Sequence, residues 1–276
     1  MSTWVLLRGL MRDQRHWGDF PAIFGAAMPG AQIVTPDFPG NGARHREASP
    51  TRVADMVEAC RAGLRARGHA GPYSLLALSL GAMVAVEWSA RYPGEIVRCV
   101  LINTSMQPFS PFYRRLRWQN YAAIAGMLLR GGAARQEALV LRLTSKRHAG
   151  DHDLLRRWIG FQQSHAVTRA NAINQLLAAA RYRAPAARPA PPLLVLCSRA
   201  DRLVDARCSA KLARAWQAPC LQHPDAGHDL PLDDGAWVAQ AVARWADADA
   251  VMEGGAAVGT SPMASANPGA ACPTGE

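Results

Sequence analysis

Apolar and polar positions follow two different periods along most of the chain. Apolar residues recur every three or four positions at Val53, Met56, Val57, Cys60 and Leu64, which is the spacing of an amphipathic helix. Short apolar runs have instead the length of buried strands, at residues 4–7, 32–35, 73–78, 96–103, 193–197 and 220–222. Strands that alternate with helices predict an α/β fold, a mostly parallel β-sheet flanked by helices.

The pattern changes between residues 106 and 185, where no strand signal occurs. Helical spacing predicts successive helices over residues 113–129, 135–143, 151–165 and 168–181. Because this segment is too long for a connecting loop, we expect an inserted helical element. A Pro- and Ala-rich stretch over residues 183–192 then leads back to the sheet.

The end of the chain loses its periodicity after a last predicted helix over residues 233–246. Residues 247–276 are rich in Gly, Ala, Ser and Pro, which predicts a disordered tail. The predicted organisation is therefore a core formed by residues 1–105 and 186–246, a helical insertion over residues 106–185, and a disordered tail over residues 247–276.

Composition limits the classes of partner. With 276 residues, 49% of them hydrophobic, the chain can bury a large core as one domain with an insertion or as two small domains. The formal net charge is +10, and Lys146 and Lys211 are the only lysines. The arginines are scattered and are not interleaved with a platform of aromatic side chains, so we expect no nucleic-acid partner.

The cysteines and the first residues argue against several further classes. The six cysteines form no C-x-x-C pair, and no His/Cys cluster has zinc spacing, so we expect no metal site. The N-terminal residues lack the pattern of a signal peptide, and no apolar run reaches the length of a membrane span. We therefore expect a cytoplasmic protein, without an indication of its oligomeric state.

Ser79 lies between a predicted strand and a predicted helix. A serine in such a sharp turn has its hydroxyl held out of the sheet, and the small neighbours Ala77 and Gly81 allow the close turn. The amide of Leu80 begins the helix without a partner in it, so it can donate a hydrogen bond to a developing oxyanion. The alternative interpretation is a serine that caps an ordinary helix.

Asp201 and His228 also follow predicted strands, in the order Ser, acid, His. Loops at the carboxyl ends of parallel strands meet at one edge of the sheet, so we expect the three side chains to converge there. A serine hydroxyl needs a base, and a histidine oriented by a carboxylate can serve as one. Alternatively, His228 is a turn residue and Asp201 caps the next helix. If Asp201 orients His228, we expect Asp205 to cap the helix that begins at about residue 206.

From about residue 3 to residue 245, the chain resembles the α/β-hydrolase superfamily, in particular its capped esterases and lipases. Residues 77–81 differ from the G-x-S-x-G motif only at Ala77, residues 36–42 resemble the P-D-x-P-G-x-G loop, and residues 227–234 resemble the histidine loop. The resemblance implies that Arg8 occupies the position of a histidine in the family. It also implies that the amide of Leu10 is the second oxyanion donor, beside Leu80.

The resemblance and the three side chains together predict a serine hydrolase that cleaves a carboxylic ester or related acyl bond through an acyl-enzyme intermediate. Ser79, Asp201 and His228 would be catalytic, the substrate would be a small ester-like molecule, and no cofactor would be needed. The insertion would form a cap over the active site. Some of its aromatic residues would line an acyl pocket: Phe109, Phe112, Tyr113, Trp118, Tyr121, Trp158 and Phe161.

Other functions use the same fold and triad. The enzyme alternatives are an aminopeptidase, which needs an acidic group for the free amine, a C–C hydrolase, and a cofactor-free haloperoxidase-like enzyme. A ligand receptor with slow turnover is an alternative from another class. Arginines of the predicted cap could attract an anionic substrate, although a solvated face explains them equally well.

Overall fold

Six strands form one sheet in the computed structural model, which describes residues 2–257. Their order across the sheet is β2-β1-β3-β4-β5-β6, and every neighbouring pair is parallel. This arrangement confirms the predicted fold class. The strands are β1 Thr3–Leu7, β2 Gln32–Val34, β3 Tyr73–Leu78, β4 Ile96–Ile102, β5 Leu193–Ser198 and β6 Cys220–His223.

Helices occupy most of the chain between and after the strands. In chain order they are α1 Phe20–Ala27, α2 Val53–Ala66, α3 Leu80–Arg91, α4 Phe112–Arg115, α5 Tyr121–Arg130, α6 Ala133–Thr144, α7 His152–Ser164, α8 Arg169–Arg181, α9 Arg207–Ala215 and α10 Leu230–Ala257. Short 3-10 turns occur at Gln14–Trp17, Gly42–Arg44, Pro93–Glu95 and Trp118–Asn120. None of the described helices is long and apolar enough to cross a membrane.

The core consists of two layers, one on each face of the sheet. Successive side chains of a strand point to opposite faces, so Leu75 and Leu76 of β3 belong to different clusters. One cluster joins the sheet to α2, α3 and α9, and the other joins it to α1 and α10. Because both faces are covered, the central strands are apolar at almost every position.

Helices α4 to α8 form the segment between β4 and β5, where the described chain adds no strand beyond an isolated bridge from Gln107 to Arg183. The single helix predicted over residues 113–129 is interrupted. At Leu116 the backbone is extended (φ −134°, ψ 118°), and the next amide, of Arg117, donates to the carbonyl of Leu203 at 2.9 Å. This tertiary hydrogen bond replaces a bond that a continuous helix would make.

The last helix is longer than its sequence pattern predicts, since α10 begins at Leu230, is kinked at Asp234 and continues to Ala257. The predicted tail over residues 247–276 thus overlaps this helix at residues 247–257, and residues 258–276 lie outside the described residues. Alanine favours helix there. Arg98 of β4 also holds this part, donating to the carbonyl of Ala246 at 3.2 Å and pairing with Asp249 at 3.9 Å.

Candidate active site

Ser79 occupies a strained turn between β3 and α3. Its φ of 57° lies in the left-handed region, which a residue with a side chain rarely adopts without a functional reason. Its side chain makes no capping hydrogen bond to α3, so the alternative of an ordinary N-cap serine does not apply. The turn passes so close to β1 that a Cβ on Gly81 would lie 2.4 Å from the carbonyl oxygen of Leu7. Only glycine fits at that position.

Two backbone amides beside Ser79 have no acceptor among residues 2–257. The first belongs to Leu80, which begins α3. The second belongs to Leu10, in the loop after β1, where a Cβ on Gly9 would lie 3.3 Å from Cβ of Ser79. The next amide along this loop, of Met11, donates to Oε1 of Gln175 at 2.8 Å. Leu10 and Leu80 thus each have a free amide close to the serine, as far as the described residues show.

His228 and Asp201 form a buried pair. Nδ1 of His228 lies 2.7 Å from Oδ2 of Asp201, and both side chains are almost fully buried. The other carboxylate oxygen, Oδ1, accepts the amides of Leu203 and Val204 at 2.8 and 2.9 Å. Because these amides hold the carboxylate, Asp201 faces the imidazole in a fixed orientation. Ser79 and His228 line the same cavity.

Asn103 fixes the histidine loop, a role that its sequence position at the end of a predicted strand does not indicate. The residue has a φ of 45°, and its side-chain amide donates to the carbonyls of His228 and Gly227 at 2.7 and 3.2 Å. Its Oδ1 accepts the amide of Ser198 at 2.8 Å. Asn103 thus joins β4 and β5 to the loop that carries the histidine.

The other acidic and histidine side chains near these loops have different partners. Asp205 accepts the amide of Arg207 at 3.0 Å, in the first turn of α9, and pairs with the Arg207 guanidinium at 2.6 Å. The N-cap residue of α9 is Ala206, so Asp205 lies one residue before the predicted capping position, although its carboxylate accepts an amide of the first turn. The remaining pairs are Asp225 with Lys146, Asp229 with Arg8, His16 with Asp13, and His223 with Asp234.

Arg8 connects the loop after β1 to the histidine loop. Its guanidinium donates to both oxygens of Asp229, at 3.1 and 2.6 Å, and lies 4.6 Å from the ring centroid of Trp17. Burial alone would raise the pKa of Asp229, but the Arg8 charge and hydrogen bonds lower it below its ordinary value. Asp229 is therefore an ionised partner of Arg8, next in sequence to His228.

The cavity in front of Ser79 is small, about 100 Å³, and mostly apolar. Its walls come from the loops around β1, β3 and the histidine, and from helices of the inserted segment. The apolar side chains that line it are Leu10, Met11, Leu78, Leu116, Ile124, Met127, Leu139, Val140, Leu143, Leu176 and Leu203.

The aromatic residues predicted to line an acyl pocket are not among the lining residues, so this expectation is wrong for the cavity. Phe112 and Trp118 are 71% and 63% exposed. Phe109 packs against Trp216, and Trp158 packs against His16. The spacing of apolar residues predicts that a segment is helical but does not predict which neighbour the helix packs against. The break at Leu116 also changes the orientation of the chain that follows it.

A second buried charge cluster lies behind this cavity. Arg12 pairs with Glu137 of α6 at 2.8 Å, and both side chains are buried. Burial raises the pKa of Glu137, although Arg12 opposes the shift. Burial and the Arg12 charge lower the pKa of the neighbouring His16 to about 4, so the imidazole is neutral near pH 7. Among the described residues, no cluster of three or more His, Cys, Asp or Glu could hold a metal ion.

Comparison with known proteins agrees with this architecture. A model of the alpha/beta hydrolase family matches residues 4–241. A search of curated proteins found no match to the chain. Among solved structures, the enol-lactonase from Burkholderia xenovorans LB400 is 17% identical with a TM-score of 0.73, over 89% of this chain and 91% of that chain.

Two further solved structures have the same fold. A protein from Mycobacterium tuberculosis H37Rv, provisionally described as a non-heme bromoperoxidase, is 22% identical with a TM-score of 0.72, over 90% of this chain and 92% of that one. A thermophilic esterase from Thermogutta terrifontis is 18% identical with a TM-score of 0.69, over 90% of each chain. These similarities concern the fold, and the family match covers most of the sequence. The chain therefore belongs to the alpha/beta hydrolase family.

Proposed function

We propose that the protein is a serine hydrolase that cleaves a carboxylic ester or a related acyl bond. The observation that carries the proposal is the buried Asp201–His228 pair. His228 lines the same cavity as Ser79, whose side chain makes no capping hydrogen bond. An ordinary structural serine and histidine would have no need of a strained turn, an oriented carboxylate and a common cavity.

In the proposed reaction, His228 takes the hydroxyl proton of Ser79 as Oγ attacks the acyl carbon. Asp201 accepts a hydrogen bond from Nδ1–H of His228, so Nε2 is the free base. The negative charge of the carboxylate stabilises the imidazolium that forms. The proton passes to the leaving group as its bond to the acyl carbon breaks. A water molecule, deprotonated by the same imidazole, then cleaves the acyl-enzyme, and Ser79 regains its proton.

The amides of Leu10 and Leu80 would hold the oxyanion of the tetrahedral intermediate. Neither has an acceptor among the described residues, and both flank the nucleophile. Donors of this type are already oriented before the charge develops, and the loss of one costs about 3 to 4 kcal/mol in a known protease.

Helices α4 to α8 would act as a cap over this site. Leu116, Ile124, Met127 and Leu143 are cavity-lining residues from this segment. They would exclude bulk water and limit the acyl or alcohol group to a small size, which strengthens the electrostatic interactions at the serine.

Aminopeptidase activity is less well supported. A free substrate amine needs an unpaired carboxylate in the cavity. Asp229 is the one acidic residue among the described lining residues, and Arg8 already engages it. C–C bond hydrolysis and haloperoxidase-like perhydrolysis use the same triad, and no contact of the described residues favours either.

The test is steady-state turnover of short 4-nitrophenyl esters by the wild-type protein and by Ser79→Ala. We expect multiple turnovers for the wild type and a loss of at least about a thousandfold in kcat for Ser79→Ala, without a change in melting temperature. Ser164→Ala, an exposed serine outside the cavity, is the control. Undiminished turnover by Ser79→Ala would contradict the proposal, and a single burst without turnover would favour the slow receptor instead.

A further inference from the structure

Three charged side chains line the otherwise apolar cavity: Arg8, Arg12 and Asp229. Arg8 and Asp229 neutralise one another through two hydrogen bonds. Arg12 is different, because it is 7% exposed and its ion-pair partner, Glu137, does not line the cavity. The question is therefore what the cavity side of Arg12 binds.

The polar side-chain contacts of Arg12 use one nitrogen of its guanidinium, whose face lies 4.8 Å from the ring centroid of Trp158. Nη1 lies 2.8 Å from Oε2 of Glu137 and donates to Nε2 of the neutral His16 at 3.1 Å. Nε and Nη2 have no hydrogen-bond partner among the described residues. Both atoms are accessible to solvent. Nε of Arg8, by contrast, is a fully buried atom without a hydrogen-bond partner. The free atoms of Arg12 are thus accessible on a residue that lines the cavity.

Nε and Nη2 form one edge of the planar guanidinium. Two parallel N–H groups on such an edge match the two oxygens of a carboxylate, which is the preferred bidentate partner of arginine. Glu137 is not a lining residue and approaches from the Nη1 side, so it leaves this edge open. The carboxylate of Asp229, the acidic lining residue, is already engaged by Arg8, and an unpaired buried donor is costly.

We propose that the free edge of Arg12 binds a carboxylate of the substrate, so that the preferred substrates are esters or related acyl compounds that carry a second, ionised carboxylate. This inference rests on the proposed hydrolase function and adds the substrate class. It assigns specificity to a core loop and not to the arginines on the surface of the inserted helices.

The test compares two 4-nitrophenyl esters of equal acyl length: the monoester of adipic acid, which has a free carboxylate, and its methyl ester, which has none. We expect the wild type to prefer the free acid in kcat/KM by about ten- to one-hundred-fold, the range of a charge-assisted bidentate contact. Arg12→Gln should lose this preference, so that kcat/KM becomes nearly equal for the two esters.

Arg12→Gln leaves Glu137 without its partner and can destabilise the fold. The double variant Arg12→Gln/Glu137→Gln removes both members of the pair and should give the same loss of preference. Arg12→Lys keeps the charge but not the planar edge, so it should recover only part of the preference. Arg156→Gln, an exposed site outside the cavity, is the matched control and should leave the preference unchanged.

Several outcomes would overturn the inference. Equal turnover of both esters by the wild type would refute a carboxylate site while leaving the hydrolase function intact. An equal slowing of both esters in the double variant would show that Arg12 only supports the fold. If the wild type turns over short 4-nitrophenyl esters but neither adipate ester, this inference is refuted and the hydrolase function stands. If it turns over none of these esters, both are refuted.

Discussion

The sheet-edge loops and the inserted helices both line the cavity, but they do so by different means. In the loops, backbone geometry places each functional group: a strained turn holds Ser79, and two amides hold the carboxylate of Asp201. In the insertion, apolar side chains of the helices present the surface that lines the cavity. We therefore propose that the loops supply the chemistry and, through Arg12, the selection of substrate charge, and that the inserted helices limit substrate size.

One bond between the two regions qualifies this division. The carbonyl of Thr144, at the end of α6, accepts the amide of Asp229 at 2.7 Å, immediately after the histidine. Further connections include the ion pair of Arg12 with Glu137 and the bond from the Arg117 amide to the carbonyl of Leu203. The insertion thus also helps to hold the histidine loop, so changes in it can affect the base as well as the pocket.

The largest expected effect distinguishes the two carboxylates of one sheet-edge loop. Asp201→Asn should present an amide to Nδ1 of His228 and favour the wrong tautomer. In a serine protease the same change of the triad aspartate lowers turnover by about ten-thousand-fold. We expect a loss of at least about a hundredfold here. Asp205→Asn should keep most of the activity and cost at most about 1 kcal/mol of stability. Turnover and melting temperature of both variants, measured together, are the check. An inactive Asp205→Asn beside an active Asp201→Asn would reverse the assignment.

The next prediction concerns the contact between the regions. His16, next to Asp13 and Arg12, packs against Trp158 and Phe161 of α7, and burial with the Arg12 charge lowers its pKa from 6.5 to about 4. Between these pH values the unfolded chain binds more protons at this site than the folded protein does. The free energy of unfolding should therefore decrease as the pH falls from 6.5 towards 4.

His16→Asn should remove about 2 to 3 kcal/mol of that decrease between pH 7 and pH 4.5. Denaturant unfolding at the two pH values measures it, with the exposed His152→Asn as the control. An unchanged pH dependence in His16→Asn would show that this imidazole remains accessible to protons in the folded state.

The smallest effect concerns the pocket wall. Leu143→Ala, at a lining position on α6, should shift the preference towards longer acyl chains by about fourfold per methylene, the value of one buried CH₂ group. Trp118→Ala, at an exposed position on the same inserted segment, should not. Relative kcat/KM over an acyl-chain series reports the shift. The reverse result would mean that the aromatic residues line the substrate path after all.

The sequence predicted the sheet-edge region well because its signals are local. The apolar run of β3 followed by small residues at Ala77 and Gly81 is sufficient to indicate the turn at Ser79, and strand ends indicate Asp201 and His228. Contacts between distant segments were not predictable in this way. Asp229 is 221 residues from Arg8, and no local pattern joins them.

The insertion was predictable in its helicity but not in its packing. Its apolar spacing indicated helices, yet the break at Leu116 depends on a bond to Leu203, far along the chain. The exposure of Trp118 follows from that break. Asn103 and Arg12 were missed for the same reason, because their roles arise from partners on other elements.

The central claim is that Ser79 is a nucleophile activated by His228. Its most direct measurement is the site and rate of covalent labelling by a fluorophosphonate, read by intact mass and peptide mapping in the wild type, Ser79→Ala and His228→Ala. We predict one adduct on Ser79 in the wild type, none in Ser79→Ala, and labelling slowed by at least about a hundredfold in His228→Ala. An adduct on another residue, or labelling of Ser79 at the wild-type rate without His228, would contradict the account.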